Sequence, residues 1–169
     1  MAISMHSASV PVFVRMLRNL SACIDKAAAH AESKKFDPKV LVESRLAPDM
    51  LPFRTQVQIA CDAAKFGVAR LAGVEAPKFA DDETSFDELK ARIAKTIEFV
   101  QGVPAASVEG TEGKSISVPR RNSEPMQFSG ENYLRFMALP NFFFHVTTAY
   151  ALLRHNGVDL GKGDYLGNG

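Results

Sequence analysis

Apolar and polar positions along the chain fall into four long helical stripes. In residues 6–34 the apolar set Val10, Phe13, Val14, Leu17, Leu20, Ile24, Ala27, Ala28 and Ala31 recurs at helical spacing. Arg15, Arg18, Asp25, Lys26 and Glu32 occupy the opposite, wet side. Ser9 or Ser7 is a candidate cap, and Pro11 suits the first turn. Asp37–Leu41 predicts a short helix, and Pro48 and Pro52 then impose an ordered bend in which Asp49 is a candidate cap. The second long helix is predicted over Pro52–Leu71, closed by Gly73, with Val57, Cys61, Ala64, Val68 and Leu71 as its seam. Gln58, Asp62 and Lys65 form a second, polar row on that helix. Ser85-Phe-Asp-Glu88 is a capping box, and Phe86, Leu89, Ile93, Ile97 and Val100 continue from it as the third helix. Asp87, Glu88, Lys90, Arg92 and Lys95 read as its solvated face, and Gly102-Val-Pro104 ends it.

Residues 104–130 change character. Ser115–Val118 and Met126–Phe128 alternate apolar with polar between glycines and prolines, which predicts a small β-hairpin over one end of the helices. A helical turn from Ser129 or Gly130 through Tyr133 and Phe136 leads to the most apolar stretch, Pro140–Gly157. There Phe136, Leu139, Phe143, Val146, Tyr150 and Leu153 form one stripe, and Phe142, Ala149 and Leu152 cover the adjoining face. A helix apolar nearly all round reads as the buried member of its fold. Pro140 suits its first turn, and Arg154 and His155 oppose the dipole at its end. The tail from Asp159 is glycine-rich and is expected to leave the core, with Tyr165 and Leu166 as the residues able to dock it.

Composition narrows the function classes. Lys+Arg 20 against Asp+Glu 19 leave a net charge of +1, so nothing marks the chain for nucleic acid or an anionic membrane. The basic run Pro119–Asn122 reads as solvated loop. No apolar run is read as approaching the roughly 18 residues needed to cross a bilayer. Cys23 and Cys61 lie on apolar helical faces and read as buried, reduced thiols. The N-terminal segment lacks the pattern of a signal peptide. The expectation is one cytoplasmic domain over residues 1–169.

Asn141 and His145 lie one turn apart on one face of the last helix and are the strongest hint of chemistry. Two readings stand. His145 is either a core histidine satisfied by Asn141, Gln58 or Asp62 across the helix pair, or it lines a ligand pocket with those residues and Tyr150. Of the 169 residues 12 are Phe and none is Trp, and one helix cannot hide all its faces against a single neighbour. Homodimerisation through an outward apolar face is therefore the alternative reading.

Several segments carry a family resemblance: Ser9-Val-Pro-Val-Phe13, Arg45-Leu-Ala-Pro-Asp-Met50, Gln56-Val-Gln58, Ala69-Arg-Leu-Ala-Gly73 and Leu139-Pro-Asn-Phe-Phe-Phe-His145-Val-Thr-Thr-Ala-Tyr150. With the ending Leu153-Arg-His-Asn-Gly157-Val they make the full chain resemble the DinB/YfiT-like superfamily, and within it one family of unknown function. The resemblance implies an all-α, DinB-like four-helix bundle with a long third-to-fourth helix connection that could hold the β-hairpin. It also implies a site of three histidines on a divalent transition metal, one from the second helix and a His-x-x-x-His pair from the fourth. Here His145 stands at the second position of that pair and Asn141 at the first. The second helix has no histidine, and Gln58 is the polar residue nearest the remaining place. Neutral amide oxygens are poor ligands for zinc or nickel beside imidazole. The implied function is a small-molecule pocket around His145 in a degenerate relative of metal-dependent thiol transferases, with Gln58, Asp62, Asn141 and Tyr150 as its polar neighbours.

Overall fold

A computed structural model describes residues 3–167. The helices are α1 (Val10–Lys34), α2 (Lys39–Val42), α3 (Phe53–Ala72), α4 (Phe86–Gly102), α5 (Ala105–Val108), α6 (Gly130–Tyr133), α7 (Leu139–His155) and α8 (Lys162–Leu166). A hairpin of β1 (Ser115–Arg120) and β2 (Ser123–Ser129) lies between α5 and α6. The fold is thus mostly helical with a small two-stranded antiparallel sheet. α3 packs more extensively on α7 than on any other element, while α1 and α3 both pack on α4.

The apolar stripes become one core. Phe13 of α1 meets Phe142 of α7 edge-on, with ring centroids 4.9 Å apart. This close approach needs Gly67 on α3, because a β-carbon there would come within 3.1 Å of the Phe13 ring. The hairpin adds Ile116 and Val118, buried by strict alternation along β1, and pairs Ile116 with Phe128. At its foot Lys114 Nζ donates to the Leu71 carbonyl at 2.8 Å, so a cation satisfies the C-terminal end of α3.

Local signals were partly overridden. The Ser85–Glu88 capping box forms, and Gly73 ends α3 with φ 77°. Ser9 precedes α1, but its hydroxyl donates back to the Met5 carbonyl at 2.6 Å instead of capping. Asp49 does not cap α3 either. Pro52 holds that position, and the Phe53 N–H is taken by the Ser44 carbonyl at 2.9 Å.

The last long helix starts earlier than its sequence suggests. Residues Gly130–His155 form one continuous helix that absorbs Pro140. An interior proline lacks an N–H and clashes with the carbonyl four residues back. A π turn over Leu134–Ala138 widens the helix just before it, with Leu139 N–H reaching the Leu134 carbonyl. The continuous helix has 26 residues and a window of mean hydropathy 1.3, so by length and composition it could cross a bilayer, unlike any segment counted separately from Pro140. Only 39% of that window is buried, on the side facing α3 and α1. Phe136 and Phe144 are 64% and 59% exposed, so this helix is not enclosed on all sides.

The tail also departs from expectation. It turns back as α8, against α1. Asn19 Nδ2 donates to the Tyr165 carbonyl at 2.9 Å, Lys26 pairs with Asp164 at 2.7 Å, and the Tyr165 and Thr147 hydroxyls lie 2.9 Å apart.

Candidate functional site

Antiparallel packing of α3 on α7 sets the start of α3 beside the middle of α7. His145, 9% exposed, points its Nδ1 at Gln56 Oε1, 2.8 Å away. Gln56 Nε2 in turn donates to the Leu51 carbonyl at 3.1 Å. A carbonyl only accepts, so the amide nitrogen of Gln56 must face Leu51 and its oxygen must face the ring. The proton of neutral His145 therefore sits on Nδ1, and Nε2 keeps its lone pair. Among the described residues Nε2 has no hydrogen-bond partner, yet it is not sealed off as a buried unpaired atom. Burial holds the imidazole pKa below its ordinary value of 6.5, which favours the neutral form at neutral pH.

The other residues of the sequence reading divide among three places. Asn141 and Asp62 line a small cleft of about 110 Å³ between α3 and the Gly130–His155 helix, together with Arg70 and Tyr133. There Arg70 Nη1 donates to the Tyr133 hydroxyl at 3.0 Å, and that hydroxyl donates to the Phe66 carbonyl at 3.3 Å. Gln58 does not meet His145: its Nε2 donates to Glu83 Oε2 at 2.8 Å, on the side of α3 facing α4. Tyr150 also lies away from the imidazole, against Tyr165 with centroids 5.7 Å apart, its hydroxyl 3.5 Å from the Leu160 carbonyl.

Gln58 belongs instead to a charged cluster around Arg92, which is not solvated but 3% exposed. The guanidinium reaches Asp62 at 2.9 Å, Asp81 at 2.6 Å and Glu83 at 3.1 Å. Lys65, also buried, reaches Asp62 at 2.9 Å. Phe79 lies against both cations, with Lys65 Nζ 4.1 Å and the Arg92 guanidinium carbon 5.0 Å from its centroid. Asp81 takes the left-handed conformation (φ 56°) in the strap of residues 73–85 that connects α3 to α4. Desolvation alone would raise the Glu83 pKa, but hydrogen bonds from Gln58 and Arg92 outweigh it and hold the carboxyl below its usual range.

Sequence reading missed Gln56 and the buried Arg92. The first lay two residues from the glutamine chosen, and the second sat in an otherwise charged row.

The donor set does not fit the three-histidine metal site that the family resemblance implied. One imidazole is present, its amide neighbour Gln56 is committed to Nδ1, and Asn141 is a neutral amide. Among the described residues no three His, Cys, Asp or Glu side chains are placed to hold a metal ion. The thiols are also unsuited to nucleophilic work, because burial pushes Cys61 up to about 12 and Cys23 up to about 11.

Residues 5–166 match the family described as Domain of unknown function (DUF1993). No curated protein matches the chain. Among solved structures, a DinB family member protein from Shewanella denitrificans is similar, with 44% sequence identity and a TM-score of 0.89, covering 97% of this chain and 92% of that one. A match over nearly the whole length in both sequence and structure places the chain in the DUF1993 family of DinB-like proteins.

Proposed function

We propose that the seam between α3 and α7 binds a small organic molecule, with His145 Nε2 as acceptor and the Asn141 amide as a second polar contact. The observation that carries this reading is the relay from Leu51 through Gln56 to His145. It fixes the ring and its tautomer and leaves Nε2 with a lone pair and no partner among the described residues. Such a nitrogen accepts a hydrogen bond or a proton from a ligand hydroxyl, amine or thiol. The neighbouring cleft with Asp62, Arg70 and Tyr133 supplies room and polarity beside it. The reading includes a single-domain four-helix bundle built from α1, α3, α4 and the Gly130–His155 helix. It also includes a cytoplasmic setting, in keeping with unpaired, buried Cys23 and Cys61. Metal-assisted thiol transfer is left out of it, since amide oxygens replace imidazoles.

A thermal-shift screen of small organic compounds tests the proposal, with a divalent-ion series beside it. Compounds that stabilise the wild type should lose about tenfold in affinity in His145→Ala and in Asn141→Ala, as hydrogen bonds worth roughly 1.4 kcal/mol would. Hits that bind both variants like the wild type would sink it. Near-stoichiometric metal, with ion stabilisation lost in His145→Ala, would replace it with a metal site.

One observation favours a second reading, in which His145 is structural and the chain acts as a homodimer. Phe136 and Phe144 stand exposed on a helix with no charged residue between Phe136 and Leu153. Sedimentation should then give a dimer at micromolar concentration and a monomer for Phe144→Asp. A wild-type monomer would count against it.

A further inference from the structure

An open cleft of about 650 Å³ lies where the first turns of α1 meet the end of α4 and the C-terminal turn. That volume is in the range of small-molecule sites, and the cleft is larger than the one at Asn141. Val10, Pro11 and Val14 form its apolar wall, and Arg15, Arg18 and His6 bring positive or hydrogen-bonding groups to it. Among the described residues no carboxylate lines it.

Unlike Arg92, Lys65 and Lys26, neither arginine has an ion pair among the described residues. Arg15 Nε and Nη2 donate to the Leu166 and Gly167 carbonyls, each at 3.1 Å. Those neutral oxygens orient the guanidinium without neutralising it. Arg18, one turn further along α1, has no ion pair or side-chain hydrogen bond among the described residues. Two like charges at this spacing repel by roughly 0.2–0.5 kcal/mol, a cost that an anion between them would remove. Guanidinium groups match the geometry of carboxylate and phosphate oxygens.

We infer that this cleft, separate from the His145 seam, binds an anion carrying a short apolar body: a carboxylate or phosphate group on the arginines, and a hydrocarbon portion against Val10, Pro11 and Val14. The inference does not depend on the function proposed for the seam.

Calorimetric titration of the full chain with octanoate, octyl phosphate, inorganic phosphate and octanol distinguishes the components. Octanoate or octyl phosphate should bind with a Kd below about 1 mM, and octanol and inorganic phosphate each about tenfold more weakly, since each lacks one half of the ligand. Which amphiphile binds more tightly identifies the headgroup. Arg18→Ala should weaken the better ligand about tenfold, with Tm unchanged because Arg18 is exposed and unbonded. Arg18→Lys should recover part of the loss, and His145→Ala should bind the ligand like the wild type. Failure of both amphiphiles to bind at millimolar concentration, or equal affinity in Arg18→Ala, overturns the inference.

Discussion

Arg92→Ala is expected to lower the unfolding free energy by about 3 kcal/mol, in the range for removing one partner of a buried ion pair. Arg92 is buried and answers three carboxylates from two segments: Asp62 on α3, and Asp81 and Glu83 on the strap. Without it, Glu83, whose side chain is 12% exposed, keeps only the Gln58 amide as a side-chain donor. Asp62 keeps Lys65, and Asp81 is 55% exposed and returns to water at small cost. The loss therefore centres on Glu83 and on the strap it anchors. Arg92→Met, which restores the apolar stem but not the charge, should recover little. Lys95→Ala, exposed on the same helix, should stay within about 0.5 kcal/mol of the wild type. Urea unfolding measures all three, and a loss below about 1 kcal/mol in Arg92→Ala would show the cluster to be solvated in practice.

Acid titrates the same cluster. The folded-state pKa of Glu83 lies below its ordinary 4.5, so its contribution is present above that value and is lost as pH falls toward the folded pKa. The stability of the wild type should decline through that acid window more steeply than that of Glu83→Gln.

Gly130→Ala should cost about 3 kcal/mol, at the upper end of what overpacking does. A β-carbon at Gly130 would fall 1.9 Å from the Thr111 carbonyl oxygen and 3.0 Å from its carbon. Both are backbone atoms, so no side chain can swing aside. The loop cannot retreat freely either, since Glu131 N–H donates to the Glu112 carbonyl at 3.0 Å. Gly113→Ala is the control in the same loop, where a β-carbon meets nothing within 4 Å, and it should be near neutral. Equal melting temperatures for the two variants would contradict the geometry. Because Gly130 begins the helix that carries Asn141 and His145, the same substitution should also disturb the ligand binding proposed for the seam.

The helices themselves were legible in the sequence, because their signals are local. The stripes of α1, α3 and α4, the Ser85–Glu88 box, Gly73 and the alternation of Ile116 and Val118 each act within a few residues of where they are read. So does the placement of Asn141 and His145 on one face. What failed depended on partners distant along the chain. Gln56 and Gln58 point to nearly opposite sides of α3, and only the rotation of that helix in the packed core turns the first to α7 and the second to α4. Arg92 looked like part of a wet row because its carboxylates come from another helix and from the strap. Pro140 read as a helix start until a π turn let the helix run through it. The glycine-rich tail docks largely through its backbone carbonyls, met by Arg15 and Asn19, and carbonyls leave no mark in a residue pattern. The sequence by itself determined the long helical stretches of α1, α3, α4 and α7 and which faces are apolar, since both follow from nearest-neighbour geometry. The tertiary structure alone decided which polar groups meet, since that depends on helix rotation and on contacts between segments far apart in the chain.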